Sequence, residues 1–76
     1  MTPTERIEAA YMHACKKHPD FARDLNHAYV IMGEEFGEIA EAMQREDYGD
    51  VIDEAAQLAA VCWRLIEMID LAGAHR

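Results

Sequence analysis

A long segment near the carboxyl end of the chain is apolar on nearly every side when it is drawn as a helix. Two adjacent helical faces carry its apolar residues: Val51, Ala55, Leu58, Cys62, Leu65 and Ile69 on the first, and Ile52, Ala56, Ala59, Trp63 and Ile66 on the second. A helix with this surface must be covered on several sides. Two neighbouring helices within a chain of 76 residues cannot cover it well. We therefore expect a homodimer or homotetramer in which copies of this helix pack together.

The start of the chain carries a complete signal for the beginning of a helix. Thr2 is placed as the N-cap, Pro3 occupies the first helical position, and Glu5 follows three residues after the cap. Apolar residues continue from there at helical spacing, and Pro19 ends the helix. The same reasoning along the rest of the chain predicts three helices and no strand. They span about residues 3–17, 25–44 and 50–71.

The connection between the second and third predicted helices is short and polar. It covers residues 45–49, after which Asp50 is the expected N-cap and Gly73 follows the end of the helix. A turn this short between two long helices predicts an antiparallel hairpin. The expected fold is therefore all-α and forms a single domain over residues 1–76. It is a three-helix protomer with a long antiparallel helical hairpin, completed into a bundle by oligomerisation.

Composition and charge argue against several classes of partner. The formal net charge of −8 argues against nucleic acid, since affinity for nucleic acid comes mainly from Lys and Arg. Residues 1–10 are charged and lack the apolar segment of a signal peptide. Residues 55–66 form the longest apolar stretch, which is too short and too polar to span a bilayer. Cys15 and Cys62 have no metal-ligand spacing and are expected to be reduced, so we predict a cytoplasmic protein.

Two pairs of oxygen-bearing side chains are expected to meet across the hairpin. Glu35 and Glu38 are three residues apart on one helix, and Glu54 and Gln57 repeat that spacing on the next. Both pairs are about equally far from the turn along an antiparallel hairpin, so they should face each other. An all-oxygen ligand set suits Mg²⁺ or Mn²⁺. Mg²⁺ also accepts phosphate oxygens, which is the chemistry of a nucleotide-phosphate site.

The alternative interpretation of these acids is a solvated helix face, which is common. Gln57 favours the metal site, because it and Arg64 are the two polar residues within the apolar stretch 55–66, and a buried amide needs partners. Arg64 lies on the same side of the helix, where it would either meet a substrate phosphate or pair with a structural acid. Lys16 and Lys17 favour the C-terminal dipole of the first helix and are also candidates for contact with a triphosphate. The four histidines show no ligand spacing and are expected at the surface.

The acidic segments resemble a known family signature. Residues 34–42 read EEFGEIAEA and residues 54–57 read EAAQ. This pattern is similar to the EExxE, spacer, ExxD signature of the MazG-like all-α nucleoside triphosphate pyrophosphohydrolases. The run 57–64 is similar to the short phage-type and bacterial branch of that family. The resemblance covers about residues 25–70.

The resemblance implies Mg²⁺-dependent cleavage of an NTP or dNTP to the monophosphate and pyrophosphate, as a house-cleaning activity. It gives Glu35, Glu38 and Glu54 catalytic metal-ligand positions and implies dimers or tetramers. The last acid of the family signature is Asp, and Gln57 stands there in this chain. A neutral amide binds a hard cation less strongly than a carboxylate does and cannot act as a base. Two alternatives follow: a non-catalytic helical module that binds metal, nucleotide or a protein partner, and a purely structural helical oligomer.

Overall fold

The computed structural model describes residues 1–73, which form three α-helices. α1 spans Pro3–Lys17, α2 spans Leu25–Gln44 and α3 spans Tyr48–Ala72. Residues 1–73 contain no strand, so the predicted all-helical class is confirmed. The first two helices have the predicted bounds, whereas α3 begins two residues earlier than expected. Within this part of the chain, none of the helices has the length and apolar character needed to cross a membrane.

The beginning of α1 is a capping box formed by Thr2 and Glu5. The Glu5 amide donates a hydrogen bond of 3.1 Å to the Thr2 hydroxyl, and the Thr2 amide donates one of 2.7 Å to the Glu5 carboxylate. Pro3 follows the cap, as predicted. Two of the amide groups that a helix start leaves without partners are thereby satisfied.

The beginning of α3 differs from the prediction because the N-cap is Asp47 rather than Asp50. The Asp47 carboxylate accepts a hydrogen bond of 3.1 Å from the Asp50 amide. Asp50 therefore lies inside the first turn, where its negative charge is favourable near the helix dipole. It also forms an ion pair of 2.8 Å with Arg45. Gly73 ends α3 in the left-handed conformation, with φ of 67°, which confirms the predicted C-terminus.

α3 is the central helix of the protomer. It packs against α1 and against α2, whereas α1 and α2 make no close backbone contact within the described residues. The buried apolar side chains are mostly small: Ala28, Ile39 and Ala42 of α2, and Ala56, Ala60 and Val61 of α3. Small side chains at these positions allow neighbouring helices to approach closely. The cost is a core with little apolar volume.

The contact between α1 and α3 includes an aromatic stack. The rings of Tyr11 and Trp63 lie 4.3 Å apart between centroids, at an interplanar angle of 15°. The Tyr11 hydroxyl donates to the Glu67 carboxylate at 2.7 and 2.9 Å, which raises the pKa of Tyr11. Together these contacts fix the position of α1 along α3.

Candidate metal centre

Three glutamates from two helices converge in the structure. Glu35 and Glu38 come from α2 and Glu54 comes from α3, and one carboxylate oxygen of each lies within 4.8 Å of those of the others. Glu35 and Glu54 are half-buried, and Glu38 is exposed. We call these three residues the carboxylate cluster. They are the three acids that the sequence pattern predicts to meet.

The packing of α2 on α3 places the carboxylate cluster. Glu38 directly precedes buried Ile39 on α2, and Glu54 lies two residues before buried Ala56 on α3. The spacing of three residues between Glu35 and Glu38 turns both carboxylates toward one side of α2. The cluster therefore lies at the edge of the contact between the two helices, partly inside it and partly open to solvent.

The close approach of the carboxylates changes their acidity. Burial raises the pKa of Glu54 to about 7, with further increases from neighbouring Glu38, Glu35 and Asp50. Burial also raises the pKa of Glu35, and the charge of Glu38 adds to this effect. Both increases have the same physical origin, because a low-dielectric site and a second negative charge each penalise the ionised form. Without a cation, the cluster retains a proton near neutral pH.

Two oxygens of the cluster have no partner outside it. Glu35 Oε2 and Glu54 Oε2 are buried and accept no hydrogen bond from a donor outside the cluster, whereas a retained proton is shared among the carboxylates themselves. A buried acceptor without a partner is costly, and a cation would satisfy it. Three carboxylates offer the oxygen donors that Mg²⁺ and Mn²⁺ prefer, and the exposed side of Glu38 leaves room for water ligands. These residues therefore fit a hard divalent cation.

The structure corrects the burial expected for Gln57. The expectation of a buried amide that needs partners is wrong, because the Gln57 side chain is exposed. The apolar run around it is covered by only two helices in the protomer, and this side of α3 remains open. Gln57 instead lines a groove that also includes Glu35.

Arg64 has structural partners within its own chain, and the structural acid offered as one alternative is not among them. Its guanidinium is buried and donates hydrogen bonds to three backbone oxygens at the end of α1: Ala14 O at 3.3 Å, His18 O at 2.8 Å and Pro19 O at 3.2 Å. It also lies over the Phe21 ring, with 5.3 Å from the guanidinium carbon to the ring centroid. Ala14 O also accepts from the His18 amide, so the carbonyls that depend on the guanidinium are those of His18 and Pro19, beyond the last residue of α1. Arg64 makes no ion pair with a carboxylate within residues 1–73. It does line a small cavity that also includes Asp20 and Glu67.

A groove of about 510 Å³ runs between α1 and α3 and reaches Glu35 of α2. We call it the α1 groove. Lys17 lines it, whereas Lys16 does not, so the structure separates the two predicted phosphate contacts. Four further polar residues that the sequence reasoning did not select also line it: Arg6, His13, His18 and Asp53. For Arg6 and His13 the sequence carries a signal, because positions 6, 13 and 17 fall on one face of a helix.

Searches against family models, curated proteins and solved structures find no match to this chain.

Proposed function

We propose that the chain is a Mg²⁺-dependent nucleoside triphosphate pyrophosphohydrolase of the MazG-like kind. Its substrate would be an NTP or dNTP, cleaved to the monophosphate and pyrophosphate. The convergence of Glu35, Glu38 and Glu54, with two buried oxygens that lack partners outside the cluster, is the observation that carries the proposal. These are the same three positions to which the family resemblance gives the metal ligands.

The three glutamates would divide the work of holding the metal. Mg²⁺ bound there would supply a Lewis acid for phosphate oxygens and an activated water. The half-buried Glu35 and Glu54 would hold one side of the cation in fixed positions, since α2 and α3 pack around them. The exposed Glu38 would face the side from which substrate and water enter. Gln57 cannot accept a proton as a base, so that role would fall to a carboxylate of the cluster.

The assembly expected from the sequence belongs to the same proposal. We propose that α2 and α3 form an antiparallel hairpin and that a homodimer or homotetramer completes the bundle. Several large apolar side chains remain exposed in the single chain, including Tyr29, Phe36 and Ile66. A second copy packed on them would enlarge a core that consists mainly of alanines. The proposed location is the cytoplasm.

Pyrophosphate release from a panel of canonical and modified nucleoside triphosphates, with and without Mg²⁺, tests the activity. We expect release that requires Mg²⁺ and that Glu38→Gln abolishes. Glu41→Gln is the matched control, because Glu41 is an exposed glutamate on the same helix outside the cluster. The absence of turnover on every nucleotide, in a protein with an intact helical fold, would contradict the proposal.

The alternative of a non-catalytic module predicts metal or nucleotide binding without turnover. Thermal unfolding with and without Mg²⁺ separates it from a purely structural oligomer. A binding site stabilises the folded state by about 2.7 kcal/mol when Mg²⁺ is at one hundred times its Kd. This stabilisation should disappear in Glu38→Gln and persist in Glu41→Gln. Gln57→Asp adds a further test, because a carboxylate should tighten Mg²⁺ binding only if position 57 reaches the cation.

A further inference from the structure

The α1 groove has walls of opposite charge. Arg6, His13 and Lys17 lie on the α1 wall, and Glu35 and Asp53 lie on the opposite wall. Spacings of seven and four residues place the three basic side chains along one face of α1. Only alanines intervene on this face, since Ala9, Ala10 and Ala14 also line the groove. The basic side chains therefore have open space in front of them.

The two permanent cations of this wall have no partner within the described residues. Arg45 pairs with Asp50, and Arg64 donates to backbone oxygens. Arg6 and Lys17, in contrast, make no ion pair or side-chain hydrogen bond within residues 1–73, although carboxylates line the same groove. The groove keeps the two walls apart, and its volume of about 510 Å³ is within the usual range for small-molecule sites.

A ligand that matches both walls must carry both signs of charge. A free anion would be repelled by the wall that carries Glu35 and Asp53. A bare cation would leave Arg6 and Lys17 without a partner. A polyphosphate bound to a divalent metal satisfies both requirements. Its metal end suits carboxylates, and its remaining phosphate oxygens suit guanidinium and ammonium groups. Glu35 belongs both to the carboxylate cluster and to the groove, so the two regions are continuous.

We propose that the α1 face formed by Arg6, His13 and Lys17 binds the phosphate chain of a metal–polyphosphate ligand, with its metal held at the carboxylate cluster. This inference rests on the proposed function and deepens it. It gives Arg6, Lys17 and His13 positioning roles. It also excludes Arg64 and Lys16 from the phosphate site, since neither lines the α1 groove.

Calorimetric titration of the full chain with inorganic tripolyphosphate in excess Mg²⁺ tests this inference without requiring catalysis. The double variant Arg6→Ala/Lys17→Ala should raise the Kd at least about tenfold, because two charged contacts are lost. Lys16→Ala/Arg23→Ala is the matched control. It removes the same charge from exposed positions outside the groove and should change the Kd less than about twofold.

Three results would overturn the inference: no tripolyphosphate binding by the native chain, an unchanged Kd in the groove variant, or equal weakening in both double variants. The hydrolysis assay distinguishes this failure from failure of the proposed function. Tripolyphosphate binding that depends on Arg6 and Lys17, without turnover of any nucleotide, would sink the proposed function alone. Nucleotide turnover whose KM is unaffected by Arg6→Ala/Lys17→Ala would sink the inference alone.

Discussion

Glu54 links the acidity of the carboxylate cluster to the stability of the whole fold. Its pKa of about 7 in the folded protein compares with an ordinary value of 4.5. Between these two values the folded state retains a proton that the unfolded chain has released. The free energy of unfolding should therefore fall as the pH rises from about 4.5 to about 7. Burial of Glu35, whose pKa is also raised, contributes in the same direction.

Urea unfolding of the metal-free protein across this pH range measures the effect. We expect the native chain to lose stability as the pH rises, and Glu54→Gln to lose much of that dependence because it has no proton to release. Excess Mg²⁺ should oppose the native chain's loss of stability at higher pH, since a cation favours the ionised carboxylates. If the native chain and Glu54→Gln have the same pH profile, the elevated pKa of Glu54 is wrong.

Arg64 shows how a buried charge can be structural. Its three hydrogen bonds to backbone oxygens join α3 to the end of α1. Arg64→Ala removes all three and leaves the His18 and Pro19 carbonyls without this donor, whereas Ala14 O keeps its bond from the His18 amide. We expect a loss of roughly 2–3 kcal/mol in the free energy of unfolding, because a hydrogen bond to a charged group is stronger than average. Chemical denaturation of purified variants measures this change.

Arg23→Ala is the control for Arg64→Ala. Arg23 is exposed in the connector between α1 and α2, and its truncation should change stability by less than about 0.5 kcal/mol. Equal losses in the two variants would show that charge, rather than the backbone contacts of Arg64, produces the effect.

At the level of single residues, the sequence predicts which acids form the carboxylate cluster better than it predicts the burial of the residues around them. Glu35, Glu38 and Glu54 could be placed together because helical spacing and distance from a short turn are both countable. Gln57 and Arg64 could not be placed, because a helix that is apolar nearly all round does not show which side remains open. Burial there depends on where α1 and α2 pack, and that is a tertiary property.

Helix boundaries follow closely from local chemistry when one residue fits the N-cap. Thr2, Pro3 and Glu5 predict the start of α1 because only one register satisfies all three. The start of α3 is ambiguous, since Asp47 and Asp50 are both good caps and Gly49 between them resembles a turn residue. The structure selects Asp47, which places Asp50 where it can also contact Arg45.

The different roles of the two aspartates can be measured. Asp47→Ala should lower the free energy of unfolding by about 1 kcal/mol, because the Asp50 amide loses its cap. Asp50→Ala keeps the cap and loses an ion pair whose side chains are 55% and 37% exposed, so its cost should be nearer about 0.5 kcal/mol. Thermal denaturation of both variants in one buffer gives the comparison. A larger loss of stability in Asp50→Ala than in Asp47→Ala would indicate that Asp50 is the N-cap of α3.

For the whole molecule, the central question is what covers the large apolar side chains. Four of the six buried apolar residues are alanines, whereas Tyr29 is 79% exposed and Phe36 is 68% exposed. An exposed stripe follows one side of α2 at helical spacing: Leu25, Tyr29, Phe36 and Met43. On α3, Ile52 and Ile66 also remain exposed. This exposure lies mainly on α2, so it does not test the sequence-based expectation that copies of α3 pack together, and the oligomer stays a proposal.

Association through the α2 stripe would make stability depend on protein concentration. Sedimentation velocity over a wide concentration range should show the native chain as a dimer or tetramer. Tyr29→Lys/Phe36→Lys should shift it toward the monomer, because charges replace apolar contacts at an interface. The double variant should also lower the thermal midpoint, since the exposed stripe then loses the cover of a second copy.

The control for this experiment is a variant that adds one positive charge to α2 at a position outside the exposed α2 stripe. Gln44→Lys lies at the exposed C-terminal end of α2, where a cation is favourable near the helix dipole. It should leave the oligomeric state unchanged. A native chain that remains monomeric at every concentration would contradict the proposed assembly, and so would a double variant that associates as strongly as the native chain. In either case the alanine-rich core alone would have to stabilise the folded protomer, with α3 covered on only two sides.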